Sequence, residues 1–111
     1  MRTIVFAVAL AALASTACGA RQSEPHVAVL SLTPEQQHGQ VLFHKFCYQC
    51  HPHGEAGLGP AINANPAPMA AFRAQVRTGL GAMPAFPEAV LPSGDLDQLL
   101  AFVAAQRKQR D

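Results

Sequence analysis

The segment Cys47-Tyr48-Gln49-Cys50-His51 sets two thiols and an imidazole within five residues. Three chemistries use that spacing: a redox-active disulfide, a zinc site, and covalent attachment of haem. Each makes a different demand on the element that carries the motif. A redox dithiol of the thioredoxin type sits at the start of a helix after a strand, where the dipole lowers the first thiol's pKa. A closed zinc site needs four ligands. Cys47, Cys50, His51 and His53 supply the number, but His51 abuts Cys50 and no second ligand pair lies at finger spacing. Haem attachment needs one helical turn with both thiols on one face and the adjacent histidine pointing at the iron.

The residues before the motif predict a helix. Thr33 is a good N-cap, Pro34 suits the first helical position, and Gln36 completes a capping box. Gly39, Phe43 and Cys47 follow at intervals of four, with Cys50 three further on, so all four share one stripe of a helix. Pro52 ends it, and Gly54, Gly57, Gly59 and Pro60 make a loop. The motif therefore closes a helix rather than opening one. A second helix is predicted from about Met69 to Thr78, with Phe72 and Val76 on its apolar face and Gly79 and Gly81 beyond its end. Ser93 can cap a last helix that has Asp95 and Asp97 near its positive end. Leu96, Leu99, Leu100, Phe102 and Val103 supply its buried face, and Arg107, Lys108 and Arg110 lie near its C-terminus. Period-two alternation is absent, so the fold class is all-α, with three or four short helices and long loops. The redox-dithiol and zinc readings lose their structural context, and haem keeps its own.

Composition points the same way. The 111 residues leave room for one small domain, and charged residues make up 14% of them, against about 25% in an average soluble domain. There is no tryptophan and one tyrosine, with eight glycines and nine prolines. A chain this poor in large side chains needs a staple such as a disulfide, a metal or a cofactor.

The N-terminus reads as a signal peptide over residues 1–17. Arg2 is followed by the apolar run IVFAVALAALA, too short to span a bilayer, and then by Ser15, Thr16 and Ala17. Export implies an oxidising compartment, where an unpaired thiol is unusual. Three cysteines is an odd count, and Cys18 follows the signal directly. That setting resembles a bacterial lipobox with Ser15 where an aliphatic residue is usual. Lipidation of Cys18 would anchor the chain to a membrane, and residues 18–32 would form its tether. An ordinary signal cleaved after Ala14 or Ala17 is the alternative. Residues 33–111 form the folded domain.

These motifs together resemble the class I monohaem cytochrome c family over roughly residues 32–106. The matching residues are Gly39, Phe43 and Cys47 to His51, then Gly57-Leu-Gly59-Pro60, then Val76 to Phe86 with its Gly81-Ala-Met83-Pro84, and finally the closing helix around Phe102. The resemblance implies one covalent haem c bound through Cys47 and Cys50, with His51 as proximal iron ligand. It implies that the Pro60 carbonyl orients His51 and that Met83 is the distal ligand. It also implies that Gly39 and Phe43 meet Phe102, where tyrosine or tryptophan is more usual. Met69 is expected in the core, and His26, His38, His44 and His53 in solvent. Arg73 and Arg77 are placed either against a haem propionate or on a solvated helix face.

The function implied is one-electron transfer, without catalysis of its own, in the periplasm or at the cell envelope. If Met83 does not ligate, an open iron site that senses a diatomic gas or turns over peroxide is the alternative. Without Arg2, seven basic residues face seven acidic ones, which argues against nucleic-acid binding and against strong electrostatic steering. The partners expected are redox donor and acceptor proteins met transiently by a monomer.

Overall fold

The computed structural model describes residues 31–108. The expected signal, Cys18, His26 and most of the tether lie outside that range. The described chain runs through helix α1 (Pro34–Phe46), a 3-10 turn (Pro52–Gly54), helix α2 (Met69–Thr78) and helix α3 (Ser93–Lys108). Among the described residues there is no strand, only an isolated bridge between Leu80 and Met83. The all-α expectation holds. No helix in this range is long and apolar enough to cross a membrane.

Helix α1 starts as its sequence requires. Gln36 N–H donates to Thr33 Oγ1 at 3.3 Å, and Thr33 N–H donates to Gln36 Oε1 at 3.0 Å. Two amides that the first turn leaves without helical partners are thereby satisfied. The helix stops at Phe46, short of the Cys50 end expected for it. The reason is a change of hydrogen-bond register. Phe43 O accepts from both Cys47 N–H and Tyr48 N–H, and Cys50 N–H then bonds to Cys47 O at 3.1 Å. Residues 47–50 form a turn in place of a further α-helical turn.

The core lies between α1 and α3. Leu42, Phe43, Leu91, Leu96, Leu99, Leu100, Phe102 and Val103 are buried. Burial of each contributes about 1.5–3 kcal/mol. A Cβ on Gly39 would sit 2.6 Å from the carbonyl carbon of Gln98 and 3.1 Å from Leu99 Cα. Glycine at 39 is therefore what lets the two backbones approach. Phe43 meets Phe102 edge to face with ring centroids 5.4 Å apart. The predicted contact of Phe43 with Phe102 forms, and Gly39 packs on Gln98 and Leu99, one turn earlier along α3.

Helix α2 occupies the predicted range and buries none of its residues. Met69, Phe72 and Val76 lie half-buried at the edge of the core. The core is thus complete on the α1–α3 side and open on the α2 side. Helix α3 departs from expectation at its start. Ser93 is its first residue rather than its cap, because Ser93 N–H and Oγ–H both donate to the Glu88 carboxylate, at 2.8 and 2.7 Å.

Candidate haem site

The turn after α1 gathers the motif. His51 N–H bonds to Cys47 O at 2.9 Å, one helical turn back, and Gly59 N–H bonds to Cys50 O at 2.9 Å. The first bond sets Cys47, Cys50 and His51 around one loop, and the second folds the Gly57–Pro60 segment over it. His51 is buried, at 7% exposure. Its Nδ1 lies 2.7 Å from Pro60 O. A carbonyl only accepts, so Nδ1 carries the proton and Nε2 keeps its lone pair for a metal. A Cβ on Gly59 would come within 2.8 Å of His51 Nε2 and 2.9 Å of Nδ1. The imidazole is held by a bond on one side and by a residue without a side chain on another.

Cys47 and Cys50 are half-buried and free. Burial pushes the Cys47 thiol up to about 12, and the neighbouring Cys50 adds to the rise. A thiol that stays protonated at neutral pH is a poor redox nucleophile. A thioether carries no charge and suits the same position. His53 is turned elsewhere: its backbone is left-handed (φ 56) and its Nε2 lies 3.0 Å from Tyr48 Oη. Among the described residues, no three His, Cys, Asp or Glu side chains gather as a metal cluster. The zinc reading of Cys47, Cys50, His51 and His53 therefore has no geometric basis. His38 sits beside Asp95 and His44 stacks on Tyr48, both in solvent.

Met83 stands on a second short device. Leu80 N–H donates to Met83 O and Met83 N–H to Leu80 O, each at 3.0 Å. Gly79 has φ 66 and Gly81 φ 57, the left-handed region that glycine enters without strain. A Cβ on Gly79 would come within 2.6 Å of Met83 O. Two glycines and two hydrogen bonds fix the Met83 backbone, and its side chain is half-buried. Met69 is half-buried against the core, as expected.

Both arginines have partners within the chain. Arg77 donates to Phe86 O at 2.9 Å, Leu91 O at 2.6 Å and Glu88 Oε2 at 2.8 Å. It fastens the loop that follows Met83 onto α2. Arg73 pairs with Asp97 across to α3. Sequence reasoning gave Arg77 no such role, because its carbonyl partners lie 9 and 14 residues away. It also passed over Gln75, whose Nε2 approaches Met83 Sδ at 3.8 Å. One signal was available: Gln75 is polar yet shares the helix face of Phe72 and Val76.

Three helices, a thiol pair at a helix end and an imidazole with its Nε2 left free define a c-type cytochrome domain. The family model described as "Cytochrome C oxidase, cbb3-type, subunit III" matches residues 34–103, and the chain belongs to that cytochrome c family. It is also 34% identical over 67 residues to the 4-cresol dehydrogenase (hydroxylating) cytochrome c subunit of Pseudomonas putida. That alignment covers 60% of this chain and 58% of the relative. The chain thus spans somewhat over half the length of the curated relative it matches. No solved structure matches it. Membership of the family brings covalent haem c and electron transfer. The residues present fit the group: two free thiols, one oriented imidazole, and a half-buried thioether on a fixed turn.

Proposed function

We propose that the protein is a one-electron carrier in which both axial positions of a single haem c are filled by the chain. Cys47 and Cys50 would hold the haem by thioethers, His51 Nε2 would take the proximal position and Met83 Sδ the distal one. Bound in this way, the haem supplies an Fe(III)/Fe(II) couple. The Pro60 carbonyl draws the His51 Nδ1 proton toward itself and makes Nε2 a stronger donor. A thioether is a soft ligand that favours Fe(II), so a His/Met pair sets a higher potential than two histidines. With both positions taken there is no open site for substrate, and only an electron passes. The observation that carries this reading over an open gas or peroxide site is the fixed, half-buried Met83 on its glycine-bounded turn.

The site suits exchange with redox donor and acceptor proteins. The cytochrome subunit of a dehydrogenase among the relatives supports a place beside a larger oxidoreductase. We further place the protein in the periplasm as a monomer, anchored to a membrane through a lipidated Cys18, on the apolar run and odd cysteine count. Membrane fractionation with mass spectrometry of the mature N-terminus tests the anchor. A soluble product beginning at Ser15 with unmodified Cys18 rejects it.

Met83→Ala tests the ligand set. The ferric protein should lose its far-red sulfur-to-iron charge-transfer band and become high-spin or water-ligated, with a lower potential. Met69→Ala should change none of these. A band that survives Met83→Ala assigns the ligand elsewhere.

A further inference from the structure

We propose that Arg77 is the latch that holds the Met83 segment shut and so sets how readily the iron opens to a small external ligand. The proposal rests on the reading of Met83 as distal ligand and adds a residue to it. The Arg77 guanidinium reaches four acceptors. Nη1 donates to Phe86 O at 2.9 Å and Leu91 O at 2.6 Å, and Nη2 to Glu88 Oε2 at 2.8 Å and Ser93 Oγ at 3.3 Å. All four lie on residues 86–93, the stretch that follows Met83. A planar fork can span acceptors so placed, and the compact ammonium of a lysine cannot.

Polar ties do here what packing does between α1 and α3. The segment leaves α2 at Gly79 (φ 66), bends again at Gly81 (φ 57), and returns where Phe86 N–H donates to Val76 O at 2.8 Å. The paired bonds between Leu80 and Met83 lie inside the segment and move with it. Packing adds little, since α2 buries no residue and Leu80 is 75% exposed. Leu91 is anchored in the core, and the Phe86 ring meets Phe46 edge to face at 5.7 Å. Arg77 joins those two points, because one of its nitrogens holds the carbonyl of each. It fixes the C-terminal end of the segment, while two glycines leave the N-terminal end free to hinge.

What lies in the segment decides what can replace Met83. Residues 79–92 hold no histidine, lysine or cysteine, and no methionine besides Met83. When they swing out they bring no second nitrogen or sulfur donor to the position that Met83 leaves. The ligand that takes it is therefore external, a small nitrogen donor of the imidazole class. Fe(III) holds a soft thioether less firmly than Fe(II) does, so exchange belongs to the oxidised state. Arg77 is a positioning residue in this scheme, since it acts on Met83 through the backbone.

Arg77→Met removes the fork at similar length, and Arg77→Lys keeps the charge should the first variant load poorly. Arg73→Met breaks the pair with Asp97, which lies off the Met83 segment, and serves as the control. Each ferric holoprotein is titrated with imidazole and followed by loss of the far-red sulfur-to-iron band. Both Arg77 variants should show the band before titration and bind imidazole about tenfold more tightly than wild type, the change that one charged hydrogen bond makes in an equilibrium. The binding rate at saturating imidazole, which is the rate at which Met83 lets go, should rise as well. Arg73→Met should match wild type in both. Wild-type affinity and rate in either Arg77 variant would overturn the proposal. An equal rise in Arg73→Met would overturn it too, because the effect would then be a general loosening of α2. If wild type itself lacks the band, the Met83 reading has failed and the latch falls with it.

Discussion

At the scale of single residues, Gly59 has little freedom to change. Its backbone is not in the left-handed region, so no conformational strain demands glycine there. What demands it is the His51 ring, which a Cβ would approach to within 2.8 Å at Nε2. Gly59→Ala must push either the imidazole or the loop that carries Pro60, and the 2.7 Å bond from His51 Nδ1 to Pro60 O is what gives way. Overpacking of this kind costs about 1–3 kcal/mol. We expect a lower yield of haem-loaded protein, and a ferric spectrum with a raised high-spin fraction in what is loaded. Normal yield and an unchanged low-spin spectrum would mean the ring has room to move. The spacing Gly57-Leu-Gly59-Pro60 announced the loop in the sequence. The reason for the second glycine was not legible, because it depends on where His51 lies after the chain has turned back.

Elements were easier to read than the ties between them. Thr33, Pro34 and Gln36 mark the start of α1 by local chemistry, and the same is true of Gly79 at the end of α2. The start of α3 is different. Ser93 resembles a cap by type, yet a carboxylate five residues back takes its N–H and its hydroxyl, and Arg77 of α2 clasps that carboxylate at 2.8 Å. The two hydrogen bonds from Ser93, the side-chain one foremost, and then Arg77 hold Glu88 below its ordinary value of 4.5. A carboxyl whose folded pKa is depressed adds stability above its unfolded value and loses it as pH falls through the folded one. Glu88→Gln should therefore be less stable than wild type at neutral pH. The gap should narrow below about pH 4.5 and close once Glu88 is protonated in both states. Thermal melts of the two proteins across pH 3–7 read this directly. A gap independent of pH would remove the charge from the account and leave only the shape of the side chain.

For the whole molecule, the uneven core is the main physical fact. Among the described residues, eight buried apolar ones join α1, α3 and Leu91, while α2 has no buried residue at all. Phe72 and Val76 each have one half-covered face, and Arg107 lies over the Phe72 ring at 5.3 Å while binding Ala67 O. The shortage of large side chains was visible in the composition, but which helix would bear it was not, since that depends on how α1 and α3 pair through Gly39. On the proposed ligand set, Met83 beyond the end of α2 would bring the haem to that side, and its removal should show there first. In the Cys47→Ser/Cys50→Ser double variant, stripped of loosely held haem, amide exchange over residues 69–78 and 80–86 should quicken on the order of a hundredfold. That is the equivalent of uncovering one large apolar side chain. Exchange in the facing turns of α1 and α3 around Phe43 and Phe102 should change far less, because their contact needs no cofactor. Equal loss of protection in all three helices would mean that haem organises the entire fold, and that the α1–α3 core does not stand without it.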